Sequence, residues 1–335
     1  MNKMEQDSFS TLTEALKRDA TDIHFSPGEK DVSIHFRVDG YRLLYRKISI
    51  QAYHKLLSYY KFSSGMDIAE QRIPQDGTQP FVWNSTYYDL RLSTLPLPYS
   101  ESLVIRLLPR TAAPDLNQLF LFPDQADQLL NWIQKPAGII LFTGSTGCGK
   151  STTMYALMRE ATKKFGLQTI SLEDPVEQSV EHILQVQVNE KAGFDYDIGL
   201  KAALRHDPDI IMVGEIRDHH TAKFAFRAAL TGHLVLSTVH AKNAYGTLDR
   251  LKEMGLSTVD LQQSIIGIAS QQLVTLLPSE KQKRLKGRAA VCETLTDDYL
   301  NRALHGLPIN QAKNFTSFDQ LRKKAHALGY IHAEL

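Results

Sequence analysis

The stretch GIILFTGSTGCGKSTTMYALMREATKK, residues 138–164, decides how this chain is read. Its first six residues form an apolar run without alternation, the pattern of a strand covered on both faces. The next eight, Gly144 to Ser151, fit GxxxxGK[ST]. The residues behind them repeat apolar side chains at helical spacing. A strand, a glycine-rich turn and a helix in that order make a phosphate-binding loop. Glycines let backbone N–H groups converge on phosphate oxygens, and the helix N-terminus adds the positive end of its dipole. The expected phosphate-binding set is Gly144, Ser145, Thr146, Gly147, Cys148, Gly149, Lys150, Ser151 and Thr152. Lys150 is placed to reach the β- and γ-phosphates of ATP, and Ser151 to ligate Mg²⁺. A chance glycine-rich turn is the plain alternative. The strand before it and the helix after it argue against that. For Cys148, between two glycines, the simple fit of a small side chain is favoured over redox control. A helix N-terminus can lower a thiol pKa.

Outward from the loop, further apolar runs alternate with helix-length segments: Gln168 to Leu172, Ile210 to Val213 and Leu234 to Thr238. Unalternated strands separated by helices predict an α/β fold, with a parallel sheet and helices on both faces. Ligands in such sheets bind at the C-terminal ends of the strands. Two acidic clusters stand there, Glu173-Asp174 in SLEDPVE and Glu215 in DIIMVGEIRD. Hydrolysis needs a group that positions water. Glu173 is the candidate base, and Glu215 the candidate support for Mg²⁺ or its water shell. Read singly, each acid is as well explained as a helix cap or a surface charge. Two of them closing buried-type strands beside a phosphate loop favour the functional reading. His233 and His240 bracket LVLSTV. His240 ends a strand at the same edge as the acids and suits a γ-phosphate sensor. His233 lies at the opposite end, and no third residue completes a metal set.

The N-terminal part reads differently. Residues 7–19 pattern as an amphipathic helix. Residues 22–110 pattern mainly as short strands, with Val32 to Phe36 alternating and Tyr41 to Tyr45 pairing with it across Asp39-Gly40. Residues 50–62 read as a helix, and Tyr87 to Ser93 and Leu103 to Leu108 as strands around the Pro96/Pro98 turn. The expected organisation is a small α+β, PAS-like domain over residues 1–108, a linker at 109–117, and a RecA-like ATPase domain with a helical C-terminal part over 118–335.

Composition bounds the alternatives. The chain has 335 residues, with 38 basic against 37 acidic. That balance argues against a strongly basic nucleic-acid binder. The basic run KQKRLKGR, residues 281–288, reads as a solvated loop. Two cysteines, Cys148 and Cys292, are neither a disulfide framework nor a four-thiolate zinc site, and they suit a reducing, cytoplasmic compartment. The polar start lacks the apolar core of a signal peptide, and no run of about 18 apolar residues occurs. A membrane role is then peripheral and partner-dependent.

Taken together these motifs resemble the secretion-type traffic ATPases of type II secretion, type IV pili and competence systems. GSTGCGKST resembles their Walker A, SLEDPVE their Asp box, LRHDPDIIMVGEIRD their extended Walker B and TGHLVLSTVHAKNA their His box. TDIHF, FRVDG and PQDG resemble their N-terminal signatures. The resemblance implies that Arg91 in LRLST and Arg106 in VIRLL are the arginines that reach a neighbouring subunit's γ-phosphate. It further implies a homohexameric ring at the inner face of the membrane, working against a polytopic membrane platform protein, with no stable nucleic-acid binding. Thr78 and Gln272 stand where the family commonly has arginine, so those roles are not carried over. The cysteine pairs that hold zinc in many assembly ATPases are absent, and no zinc is expected. The short form and its end, TSFDQLRKKAHALGYI, look most like the competence-pseudopilus assembly ATPases of Gram-positive bacteria. A pilus retraction motor is second, because no AIRNLIRE-like element is seen. A nucleic-acid translocase and a non-hydrolysing scaffold are weaker alternatives.

Overall fold

A computed structural model describes residues 3–38, 40–98, 100–109, 114–189, 192–277, 287–307 and 315–332. The chain divides into two compact units, residues 1–111 and 112–335. The expected linker at 109–117 falls partly on residues 110–113, and the basic run at 281–288 falls mostly on 278–286; both stretches lie outside the described residues.

The first unit runs α1 (Lys3–Lys17), β1 (Asp22–Pro27), β2 (Asp31–Val38), β3 (Tyr41–Ser49), α2 (Ile50–Ser63), β4 (Gln75–Trp83), β5 (Thr86–Pro96) and β6 (Glu101–Pro109). The strands form one antiparallel sheet in the order β3-β2-β1-β6-β5-β4. Alternation dictates its two faces. Val32, Ile34 and Phe36 turn inward and pack with Leu12 of α1 and Tyr53, Leu57 and Tyr60 of α2. The intervening residues build a polar outer face. Ser49 starts α2 by accepting a hydrogen bond from the Ala52 N–H. Lys61 and Glu101 form an ion pair inside this unit, at 1% and 3% side-chain exposure. Strand β4 was not marked by the residue pattern. It carries Gly77 and Pro80, which argue against a central strand, and the sheet tolerates them because β4 is an edge.

The second unit opens with α3 (Pro123–Ile133), β7 (Gly138–Thr143), α4 (Lys150–Phe165), β8 (Thr169–Glu173) and β9 (Leu184–Gln187). It continues with α5 (Tyr196–Ala203), β10 (Ile210–Val213), α6 (His219–Leu230), β11 (Leu234–Thr238), α7 (Ala244–Glu253) and α8 (Thr258–Ser264). It closes with β12 (Ile265–Thr275), β13 (Arg288–Thr296), α9 (Asp297–Leu304) and α10 (Phe318–Ala327). The sheet order is β13-β12-β7-β11-β10-β8-β9. Every pairing in it is parallel except β12 with β13.

This topology explains the unalternated runs. In β7, Ile139 and Leu141 enter one core while Ile140 and Phe142 enter another. In β10, Ile211 and Val213 divide from Ile210 and Met212 in the same way. Each strand feeds two hydrophobic layers, so every position must be apolar. Leu116, inside the stretch read as linker, is buried in the second of these cores.

Candidate active site

The parallel strands β7, β11, β10 and β8 are neighbours and end on one edge of the sheet. Side-chain hydroxyls fasten two of those ends together. Ser237 Oγ donates to Val213 O at 2.7 Å and Thr238 Oγ1 to Gly214 O at 2.9 Å. The turn carrying Glu215 is thereby fixed beside the turn carrying His240. A cleft of about 400 Å³ opens at this edge. Thr146, Gly147, Gly149, Lys150, Ser151 and Thr152 line it on the loop side, with Glu173, Glu215 and His240 among the residues facing them. Of the nine loop residues expected to bind phosphate, Gly144, Ser145 and Cys148 do not line the cleft; Gly144 and Cys148 are buried and Ser145 is exposed. His233 does not line it either. It lies at the start of β11, its Nδ1 3.3 Å from Ala228 O.

Lys150 Nζ donates to Gly144 O at 2.9 Å and to Ser145 O at 3.1 Å, arching across the loop. Its third neighbour is Cys148 Sγ at 3.8 Å. An ammonium held by two neutral carbonyls is ready to exchange them for phosphate oxygens, because charge-assisted bonds are about twice as strong.

The two acids have different surroundings. Glu173 is 3% exposed. Its Oε1 accepts from Ser171 Oγ at 2.6 Å and from Gln185 Nε2 at 3.1 Å, and its Oε2 accepts from the Tyr155 hydroxyl. Burial, and next the Glu173 charge, push the Tyr155 hydroxyl well above its ordinary pKa, so it remains a donor. Tyr155 also accepts the Glu177 N–H at 3.3 Å, tying helix α4 to the acidic loop. Glu215 instead meets two basic groups, Arg217 Nε at 2.8 Å from Oε2 and His240 Nε2 at 3.0 Å from Oε1. The hydrogen bond to Glu215 raises the pKa of Arg217 further. Tyr196 also lines the cleft, its hydroxyl pushed up to about 12 by burial and by Asp174.

Arg91 and Arg106 belong to the first unit. They lie opposite each other on β5 and β6. Arg106 Nε also bonds Asp22 Oδ1 at 2.9 Å.

The residues did not signal Tyr155, Ser171, Gln185 or Arg217 as parts of the site. Tyr155 reads as one more apolar position of α4. Arg217 follows Glu215 by two residues, and that proximity was the one available signal. Among the described residues no group of three His, Cys, Asp or Glu side chains could hold a metal, and no helix is long and apolar enough to cross a membrane.

The family model for type II/IV secretion system proteins matches residues 2–314. Competence protein ComGA of Bacillus subtilis (strain 168) is 42% identical over 342 residues, covering 99% of this chain and 96% of that protein. The putative type II secretion system protein E of Escherichia coli (strain K12) is 45% identical over 267 residues, covering 79% of this chain and 54% of that protein. Among solved structures, the pilus retraction motor PilT with bound ADP superposes with a TM-score of 0.78 at 26% identity, covering 99% of this chain and 95% of that one. The ATPase DotB of Legionella pneumophila, at 24% identity and a TM-score of 0.72, shares the fold over 96% of this chain and 91% of that one. The chain belongs to the type II/IV secretion system protein family, as one of its ATPases.

Proposed function

We propose that this ATPase is an assembly motor, hydrolysing ATP in the cleft to drive a competence or type II secretion pseudopilus that serves DNA uptake or secretion. The observation that carries the chemistry is the convergence of Lys150, Glu173 and Glu215 on one cleft at the ends of parallel strands. The loop binds the phosphates through its N–H groups and Lys150. Glu173 accepts the proton of the attacking water, with Tyr155, Ser171 and Gln185 holding its carboxylate in place. His240 senses the γ-phosphate through its contact with Glu215. The donors fit Mg²⁺. Ser151 and Glu215 line the same cleft, and Mg²⁺ on a nucleotide takes most of its ligands from phosphate and water rather than from a protein cage. When bound it neutralises phosphate charge. Arg217 and His240 occupy the Glu215 carboxylate, which favours contact with the ion through water.

The chain forms a homohexamer at the inner face of the cell membrane, against a polytopic platform protein. Arg91 and Arg106 complete the site of a neighbouring subunit, stabilising charge on the transferred phosphoryl group. The full-length likeness to ComGA proteins supports the competence assignment. The likeness to PilT favours a retraction motor less, at 26% identity. The test is complementation. Lys150→Ala and Arg106→Ala variants, each inactive alone, are mixed before assembly. Phosphate release recovered in the mixture supports arginines acting in trans, and no recovery at any ratio refutes it.

A further inference from the structure

Gln271, on β12, is 1% exposed and reaches the phosphate loop from behind. Its Nε2 donates to Cys148 O at 2.7 Å. Its Oε1 accepts from Thr153 Oγ1 at 2.9 Å, in the first turn of α4, and lies 3.9 Å from Cys292 Sγ. The Cys148 carbonyl can only accept, so it fixes the carboxamide with its NH₂ toward the loop, and the Thr153 hydroxyl then donates to the remaining Oε1. The main chain of Gln271 is as close: a Cβ on Gly144, at φ +136°, would meet Gln271 O at 2.4 Å. Position 144 therefore accepts only glycine, and one residue of β12 shapes both ends of the loop.

We infer that Gln271 is a positioning residue for nucleotide binding, locking the Cys148–Gly149 peptide so that the Gly149 N–H faces the phosphates. A trans peptide points its C=O and its N–H in opposite directions. Gln271 holds the Cys148 carbonyl at the back of the loop. The Gly149 N–H then points the other way, toward the cleft that Gly149 lines and Gln271 does not. Gly149 sits at φ +90°, a left-handed conformation in which the flanking peptides rotate easily. Without the lock this peptide turns over, presenting a carbonyl oxygen to an anion in place of a donor. Cys148 contributes its carbonyl to this lock whatever its thiol does.

The inference rests on phosphate binding by the loop, so the parent's affinity for ADP is measured first, by calorimetry with Mg²⁺. A parent that binds no ADP contradicts the proposed function itself. Given a parent that binds, Gln271→Met keeps the length of the side chain and removes its donor. It is expected to weaken ADP binding about 10- to 100-fold, the worth of one hydrogen bond to a charged oxygen. The KM for ATP rises with it. A variant that merely lost folded protein would lower the maximal rate and leave KM at the parent value. Thr153→Val, which removes the hydroxyl anchoring Oε1, weakens ADP in the same direction by a smaller factor, and Thr153→Ser recovers part of the loss. ADP affinities of Gln271→Met and Thr153→Val within about twofold of the parent would overturn the inference. Thr153→Val stands as the deciding variant if Gln271→Met does not fold.

Discussion

Arg91 and Arg106 are register partners across the antiparallel pair β5–β6. The same row continues through Thr78 on β4 at one end and through Asp22, Arg37 and Arg42 on β1, β2 and β3 at the other. Directly opposed residues share a face, so four guanidiniums and one carboxylate form a line across the whole sheet. Burial would raise the Asp22 pKa, but hydrogen bonds from Arg106 and Thr21 and the Arg106 charge hold it below its ordinary value. Thr78 ends this row on the edge strand β4.

Like charges placed opposite each other cost stability, roughly 0.2–1 kcal/mol per pair. Arg91→Gln removes one such neighbour. The glutamine keeps hydrogen-bonding capacity, so the melting temperature is expected to stay near that of the parent. The variant's phosphate release in assembled protein is expected to fall by about tenfold or more, as the proposed transition-state role of Arg91 requires. Differential scanning fluorimetry and a phosphate assay on one preparation check both.

Glu173→Gln keeps the size of the side chain and removes the proposed base. ADP affinity is expected to remain, with turnover down by about 10²- to 10⁴-fold. Tyr155→Phe removes only one donor to that carboxylate, so its turnover falls between the two. Calorimetry with ADP and steady-state phosphate release separate binding from chemistry.

The Lys61–Glu101 pair predicts an asymmetry in stability. Lys61→Met leaves a buried carboxylate unpaired and is expected to cost about 3–5 kcal/mol. The double variant Lys61→Met, Glu101→Leu is expected to regain most of that, since apolar residues can replace a buried pair at little cost. Urea denaturation of the parent and both variants gives the comparison.

Stability also carries a pH signature in the same unit. Burial, and then the Arg42 charge, hold the pKa values of both His24 and His35 below the ordinary 6.5. Arg37 adds to the effect at His24 and Asp22 opposes it. The folded protein therefore binds fewer protons than the unfolded chain once pH falls below about 6.5. The stabilisation is present above that value and is lost as pH falls through the lowered folded values. The melting temperature of the parent is expected to drop between pH 7.5 and 5.5, and a His24→Gln, His35→Gln variant to show a flatter profile.

What the residues revealed in advance follows from the range of the interactions involved. The β7–loop–α4 unit is local, so Gly138 to Lys164 sufficed to recognise it. Glu173 and Glu215 were legible because each closes an apolar run, and strand ends face the ligand in a parallel sheet. Strand β4 was hidden because Gly77 and Pro80 oppose it locally, and only its edge position permits them. Tyr155 and Gln271 were hidden for another reason. Their partners, Glu173 and Cys148, are distant in sequence, and side chains on a helix or buried strand do not reveal which loop they will meet. The shared row of Arg91 and Arg106 likewise depends on register, which motifs alone do not supply.

We propose a motor whose sites are completed by neighbouring subunits. The most direct test is the ATPase rate per chain against protein concentration, with mass by light scattering, for the parent and Arg106→Ala. The account predicts a rate that climbs as a six-chain species appears and collapses in the variant. A constant rate from a monomer, unchanged by Arg106→Ala, would contradict it.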